Sequence, residues 1–377
     1  MKVSIFTKIF IALLVVGMST YMYKTNTKDE KVTAAYIPIY KTIDESQLDY
    51  LDIAYISFAN IDKNEIYFSK DKAADEEIKN TIKRWKQEHQ KTRFVLGVGG
   101  YAVDGFSDAS LDENRDEFTD NIINMVRELG LDGVEIDWEY PAYDAWNTQK
   151  ARDIDTVNFT SLMKELREKL NKLPKKNKNY LLSYAAGTQD WYFTNVEVKK
   201  VEPYIDYINV MSYDLTGEWS DTTAHNANLY VDSKGIATNS IDEVMNRYLS
   251  RQIDSKKILM GIPAYSYGWK NVHRDKEKQK QGLYTVGDPI DIDKFDISYK
   301  SLVSTFMDKQ GFKRYYDDKA KAAYLYNGDI FITYEDQQAL EAKVKYIQEK
   351  NLGGAMVWEY SHDAKDGIMK YLFDHLD

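Results

Sequence analysis

The 377-residue chain contains no cysteine. Disulfides, thiolate zinc sites, iron–sulfur clusters and cysteine nucleophiles are excluded together. Histidine is scarce. His89, His225, His273, His362 and His375 are scattered without metal-ligand spacing, and no HExxH pair occurs. No metal and no cofactor are expected. Cationic excess is also missing: 50 basic residues face 60 acidic ones, for a net charge of -10. Nucleic acid and anionic lipid are themselves negative, so neither fits as a partner. A mean hydropathy of -0.56 excludes a polytopic membrane protein. No GxGxxG opens a helix after the first apolar run, so a dinucleotide fold lacks its signature. No low-complexity tract or internal repeat is evident.

What the chain does have is apolar mass and rings. Apolar residues make up 43% and charged residues 29%, enough for a large buried core. Aromatics reach 14%, with 30 Tyr and 7 Trp. That exceeds the needs of a core and leaves rings for a ligand surface, sugars being one option.

Met1–Lys24 is set apart from the fold. Lys2 and Lys8 make a basic start, and Ile9–Met18 is an apolar run of ten. This is the layout of a secretory signal, with an uncleaved membrane anchor as the alternative. The run is short for a clean membrane span. Residues 25–32 are polar and read as a tether. The expectation is a secreted or extracytoplasmic protein that meets the membrane only through this segment. A monomer is expected.

From residue 33 to 377, β-rich apolar runs alternate with helix-patterned stretches. The runs are Ala34–Tyr40, Ile53–Ile61, Arg93–Gly99, Gly133–Trp138, Tyr180–Ala186, Tyr207–Tyr213, Lys257–Ala264 and Gly354–Glu359. Helical periodicity marks Glu76–Glu88, Asp112–Leu129, Ile154–Leu173, Ile241–Arg251 and Asp336–Asn351. Nearly unbroken apolar strands alternating with helices predict a parallel sheet, and eight such units predict a closed (β/α)8 barrel. One connection is too long. Tyr265–Glu335, about 70 residues, carries strand-like Ala322–Tyr326 and Ile330–Tyr334 and helix-like Tyr299–Lys309. It reads as a small α+β insertion on the catalytic rim.

The sharpest feature is LDGVEIDWEYP, Leu131–Pro141. Val134, Ile136 and Trp138 share one strand parity, while Glu135, Asp137 and Glu139 share the other. Three carboxylates therefore line one face, with neighbours roughly 6–7 Å apart. An amphipathic strand with a wet acidic face has the same pattern. Inside a barrel both faces are covered, so the acids would point inward. Crowded buried carboxyls share protons, and one of them can stay protonated near neutrality as an acid catalyst requires.

This segment resembles the DxxDxDxE signature of family 18 glycoside hydrolases, which include chitinases. Asp132, Asp137 and Glu139 match it, and Glu135 stands where the family has Asp. FVLGVGGY (Phe94–Tyr101) resembles the family's SxGG motif, with Gly97 in place of Ser. MSYD (Met211–Asp214) matches MxYD in full, and Trp219 follows at a familiar offset. Gly261–Pro263 with Tyr265 and Trp269 resembles GxPxYGxxW, and GGAMVW (Gly353–Trp358) resembles the last strand. Tyr36 and Phe58 sit in runs like the family's first two strands. The similarity spans residues 34–364.

The resemblance implies a retaining enzyme without a carboxylate nucleophile, in which the sugar's own acetamido oxygen attacks the anomeric carbon. It implies Glu139 as acid and then base, and Asp137 orienting the acetamido group. Glu135 would hold Asp137 at rest and share its proton, and Tyr213 would bond the acetamido oxygen. Asp214, Trp358, Met211, Trp219, Tyr101, Gly100, Tyr36, Phe58 and Tyr265 would bind sugar. Asp132 and Trp138 read as structural, and Trp85 as packing. The substrate implied is chitin or chitooligosaccharide. Alternatives are N-linked glycans or bacterial glycan strands by the same mechanism, or a chitin-binding lectin. Lectins of the family typically lose the acid that Glu139 keeps here. Asn158–Thr160 is a formal glycosylation sequon inside a helical pattern.

Overall fold

Eight apolar runs become eight parallel strands. In a computed structural model they are β1 Val32–Pro38, β2 Ile53–Asp62, β3 Arg93–Gly99, β4 Gly133–Asp137, β5 Leu181–Ala186, β6 Tyr207–Val210, β7 Ile258–Pro263 and β8 Gly354–Trp358. The structure describes residues 30–376 except 146, 175–177, 232–238, 273–280, 292–294 and 297. Val32–Leu376 form one unit. The expected signal or anchor, and nearly all of the tether, lie outside the described residues. Each strand pairs with its successor, and β8 pairs with β1, Ala34 beside Met356, so the sheet closes. The two neighbours that a barrel strand needs are thus present for all eight, which explains why the strands are apolar on both faces.

Helices cover the outside where the periodicity placed them. Lys72–Glu88, Asp112–Leu129, Asp155–Lys172, Ile241–Ser250 and Gln337–Glu349 match the five predicted stretches to within a few residues. Asp71 caps the first by accepting Ala74 N–H at 2.9 Å, and Asp336 caps the last by accepting Ala339 N–H at 2.8 Å. Gly130 ends Asp112–Leu129 in the left-handed region, at φ 64°. A C-terminal helix, Ile368–His375, adds a layer the periodicity had not marked. Trp85 is buried, as packing requires. Asn158 is also buried on its helix, which leaves the sequon inaccessible.

The insertion is α+β. Its antiparallel sheet runs in the order Asp288–Pro289, Tyr267–Lys270, Phe331–Tyr334, Ala322–Tyr326, Lys313–Asp317, with the helix Tyr299–Thr305 packed alongside. Period-2 alternation explains its two small cores. Tyr324 and Tyr326 join Trp269 and Phe331 on one face, while Ala323 and Leu325 join Leu302 and Phe306 on the other. Trp269 is fully buried and its indole N–H donates to Ser220 O at 2.8 Å, so this ring is core.

Candidate active site

β4 divides its side chains as the parity requires. Val134, Ile136 and Trp138 pack outward in the core, and Trp138 stacks on Phe106 with centroids 5.2 Å apart. Glu135 and Asp137 belong to the inner face and are buried, and Glu139 follows just past the strand's C-terminal end. Asp132 lies at the other end of the strand. It pairs with Lys86 and accepts Phe94 N–H at 3.0 Å, a structural post.

The row is anchored from the barrel interior by a one-way relay. The Tyr55 hydroxyl donates to Asn209 Oδ1 at 3.2 Å, Asn209 Nδ2 donates to the Tyr36 hydroxyl at 3.2 Å, and Tyr36 donates to Glu135 Oε1 at 2.8 Å. Tyr36, expected on the sugar-facing surface, is 1% exposed and supports the row from within. Hydrogen bonding between the Asp137 and Glu139 carboxyls raises the first and lowers the second. Glu135 Oε2 and Asp137 Oδ1 have no hydrogen-bond partner. The longer Glu135 side chain is committed to Tyr36.

Burial pushes all three carboxyls up. Glu135 rises to about 8, against the pull of hydrogen bonds from Tyr36 and Asn209. Asp137 is held well above the carboxylate range by burial, and then by the charges of Glu139 and Glu135. Glu139 rises to about 7 through burial, opposed by the Tyr140 hydroxyl, which donates to it, and pushed further by the charge of Asp214. At neutral pH the row retains protons, and Glu139 is poised to give one up.

Neighbouring strands bring the rest. Gly99 has φ +103°, and a Cβ there would stand 2.3 Å from Asp137 O. This close approach lets Gly100 N–H donate to Asp137 O at 2.9 Å. A Cβ on Gly97 would meet Ile56 O at 2.6 Å, where β2 shifts register between Ile56 and Ala59. The crowding by β2 accounts for glycine at the position where the motif has serine. Tyr213 follows β6 and is buried, with its phenol pushed up by burial and by Asp214, so it remains a neutral donor. Met211 is half-buried beside it. Asp214, at φ 55°, accepts hydroxyl protons from Tyr265 and from Tyr267 (3.0 Å), and its N–H donates to Asn226 Oδ1 at 2.7 Å.

Rings flank the row. Trp358, half-buried at the end of β8, stacks with Phe58 at 5.9 Å and meets Tyr36 edge-on at 5.3 Å. A cavity of about 420 Å³ beside it is lined by Tyr40, Phe58, Gly100, Tyr101 and Trp358. Tyr101 is 63% exposed and Trp219 64%, both suited to stacking. A larger hollow of about 860 Å³ around Lys63, Glu65 and Tyr67 contains none of the carboxylate row. Among the described residues no cluster suits a metal ion.

The structure thus gathers Glu135, Asp137, Glu139, Tyr213, Asp214, Met211, Trp358, Phe58, Gly100 and Tyr265 around the barrel mouth. Sequence reasoning missed Tyr55, Asn209, Tyr140 and Tyr267. Asn209, on β6, had one readable signal, since it shares the parity of Met211 and Tyr213 just beyond the strand.

These features define a parallel barrel with a proton-sharing acid row on its fourth strand. The profile of Glycosyl hydrolases family 18 matches residues 18–363, and the chain belongs to that family. Chitinase A1 of Niallia circulans is 33% identical over 308 residues, covering 78% of this chain and 44% of that protein. This chain therefore spans less than half of that relative. Chitinase B of Serratia marcescens is 27% identical over 357 residues, covering 79% and 70%. The structure of a family 18 N-acetylglucosaminidase from Paenibacillus barengoltzii superposes with a TM-score of 0.80 at 29% identity, over 92% of this chain and 100% of that one.

Proposed function

We propose that this chain is a chitinase, which hydrolyses β-1,4-linked N-acetylglucosamine chains with retention by substrate-assisted catalysis. The observation that carries the reading is the buried row of Glu135, Asp137 and Glu139 at the end of β4, with Tyr213 buried after β6 and Glu139 pushed up to about 7. Glu139 gives its proton to the glycosidic oxygen as the C1–O bond breaks. The 2-acetamido oxygen bonds to C1, forming an oxazolinium ion. Asp137 then turns to the acetamido N–H, and Tyr213 donates to the acetamido oxygen. Water attacks C1, its proton passes to Glu139, and the oxazolinium reopens. Glu135, raised by its burial, holds part of the row's proton load, while Tyr36 fixes its position. Trp358 lies under the scissile sugar, Asp214 bonds its hydroxyls, and Tyr101 and Trp219 stack leaving-group sugars.

The insertion beside the cleft favours linear chains over branched N-glycans, and the presence of Glu139 favours catalysis over a lectin role. The names of the relatives support the same sugar. The protein acts outside the cytoplasm, a reading supported by the basic start and the apolar run Ile9–Met18.

The test is a digest of N-acetylglucosamine hexamer beside a branched N-glycan. Cleavage of the hexamer alone is expected, with Glu139→Gln inactive. Cleavage of the N-glycan alone, or an active Glu139→Gln, would refute the reading.

A further inference from the structure

Past the acid, the chain does not leave the barrel mouth at once. The Tyr140 hydroxyl donates to Glu139, and its ring meets Trp191 edge-on, with centroids 5.0 Å apart. Trp191 comes from the loop after β5. It lies against Tyr143, centroids 4.2 Å apart and planes 30° apart. Gln149 is buried, and its side-chain amide donates both to Glu139 O and to Tyr143 O, the latter at 3.1 Å. Two carbonyl oxygens that share one nitrogen lie within about 6 Å of each other. Tyr143 is therefore fixed to the backbone of the acid itself. It is 41% exposed, with one face against Trp191.

Strand order gives this ring pair a direction. In a closed eight-stranded barrel β4 and β5 stand opposite β8 and β1. Trp358 ends β8, and Phe58 stacks on it from β2. A sugar chain lying over Trp358, with its scissile bond at Glu139, runs toward the opposite side of the mouth, the side of β4 and β5 between Tyr101 and Trp219. Tyr143 and Trp191 are on that side.

We infer that Tyr143, backed by Trp191, is a stacking platform for a pyranose ring of the leaving-group portion of a β-linked N-acetylhexosamine chain. The inference rests on the reading of Glu139 as a glycosidic acid. It adds a subsite beyond Tyr101 and Trp219. Isolated surface aromatics are ordinary and need no explanation. This one differs because Trp191 packs against the ring, and a buried amide ties its backbone to the backbone of the acid. A ring held in place before binding loses little freedom when a sugar stacks on it.

The test compares wild type, Tyr143→Ala, Tyr143→Ile and Tyr143→Trp on N-acetylglucosamine hexamer and on a chromogenic disaccharide glycoside, recording KM, kcat and hexamer product lengths. Loss of the platform is expected to raise KM for the hexamer roughly tenfold more than for the short glycoside. Early products should also shift away from cleavages that leave long reducing-end fragments. Tyr143→Trp should restore both, and Tyr143→Ile should not. If the Ala variant does not fold, the Ile and Trp variants make the same comparison. Equal losses of kcat on both substrates would mean that the ring pair only buttresses Tyr140, and no loss on either would remove the platform. A wild type that leaves the hexamer intact would overturn the glycosidase reading, and the platform with it. A wild type that cleaves it, with Tyr143→Ala cleaving alike, would remove the platform alone.

Discussion

Glu139 is raised first by its burial; hydrogen bonding with Tyr140 and Asp137 pulls its pKa down, while the charge of Asp214 pushes it up. The protonated acid is present below about 7, so kcat should fall as pH rises through that value. Asp214→Asn removes the upward push, and the alkaline limb of the kcat profile should move to lower pH. A limb that stays in place, or moves up, would remove Asp214 from the proton balance. Glu139→Gln should cost roughly 10²–10⁴-fold in kcat while oligosaccharide binding persists, measured by titration with the hexamer.

Glu135 supplies a stability test with a definite sign. Its pKa is about 8 in the native state against an ordinary 4.5. Between those values the native state holds a proton that the unfolded chain has released, so stability declines as pH rises through the window. Glu135→Gln has no proton to lose. Its Tm relative to wild type should therefore climb between about pH 4.5 and 8, and a difference constant with pH would refute the assignment. The shared parity of Glu135, Asp137 and Glu139 was legible from period-2 spacing, and its inward direction from the expected barrel. Their hydrogen bonds were not, because Tyr36, Asn209 and Tyr55 arrive from three other strands and only barrel closure brings them together.

At the scale of elements, the insertion reaches Asp214 directly. Tyr267 comes from its first strand, and with Tyr265 it supplies the donors to Asp214. The loop after β6 is also sewn to it: Thr223 N–H donates to Thr285 O at 3.0 Å, and Asn226 N–H donates to Thr333 Oγ1 at 3.1 Å. Wholesale deletion would thus disturb Asp214 for substrates of every length. The informative change is Tyr267→Phe, which removes one hydrogen bond to a charged group. About 1.5–3 kcal/mol, or roughly tenfold or more in kcat/KM, is expected on short and long substrates alike. A loss confined to long chains would mean that Tyr267 serves only the wall.

Element boundaries were legible where local chemistry sets them. Asp112–Leu129 ends at Gly130, and Ala322–Tyr326 alternates cleanly between two faces. Tyr267–Lys270 and Ile368–His375 were not legible as elements. The first is four residues long and flanked by a motif that reads as substrate-binding. The second buries only Ile368, Met369 and Leu372, too few positions to establish a helical period. Between β3 and β4, the two strands that meet at Gly99, the approach leaves no room for a Cβ. Gly99→Ala should cost about 3 kcal/mol or more in denaturant unfolding, since the positive φ alone accounts for 1–3. A neutral Gly99→Ala would mean that the β3–β4 approach is looser than described.

For the whole molecule, the strand order was legible because eight apolar runs alternate with helices, a pattern that an open doubly wound sheet shares, and the pairing of β8 with β1 decides for the barrel. Closure turns the order into a functional axis, with Trp358 on one side of Glu139 and the β4–β5 rim on the other. The central claim is that the sugar's own acetamido group replaces a protein nucleophile at Glu139. Proton NMR of the first minutes of N-acetylglucosamine hexamer cleavage tests it most directly, run beside the fully deacetylated hexamer. Newly formed reducing ends should appear as the β-anomer, and the deacetylated hexamer should remain intact. Initial release of the α-anomer, or cleavage of the deacetylated chain at a comparable rate, would contradict substrate assistance.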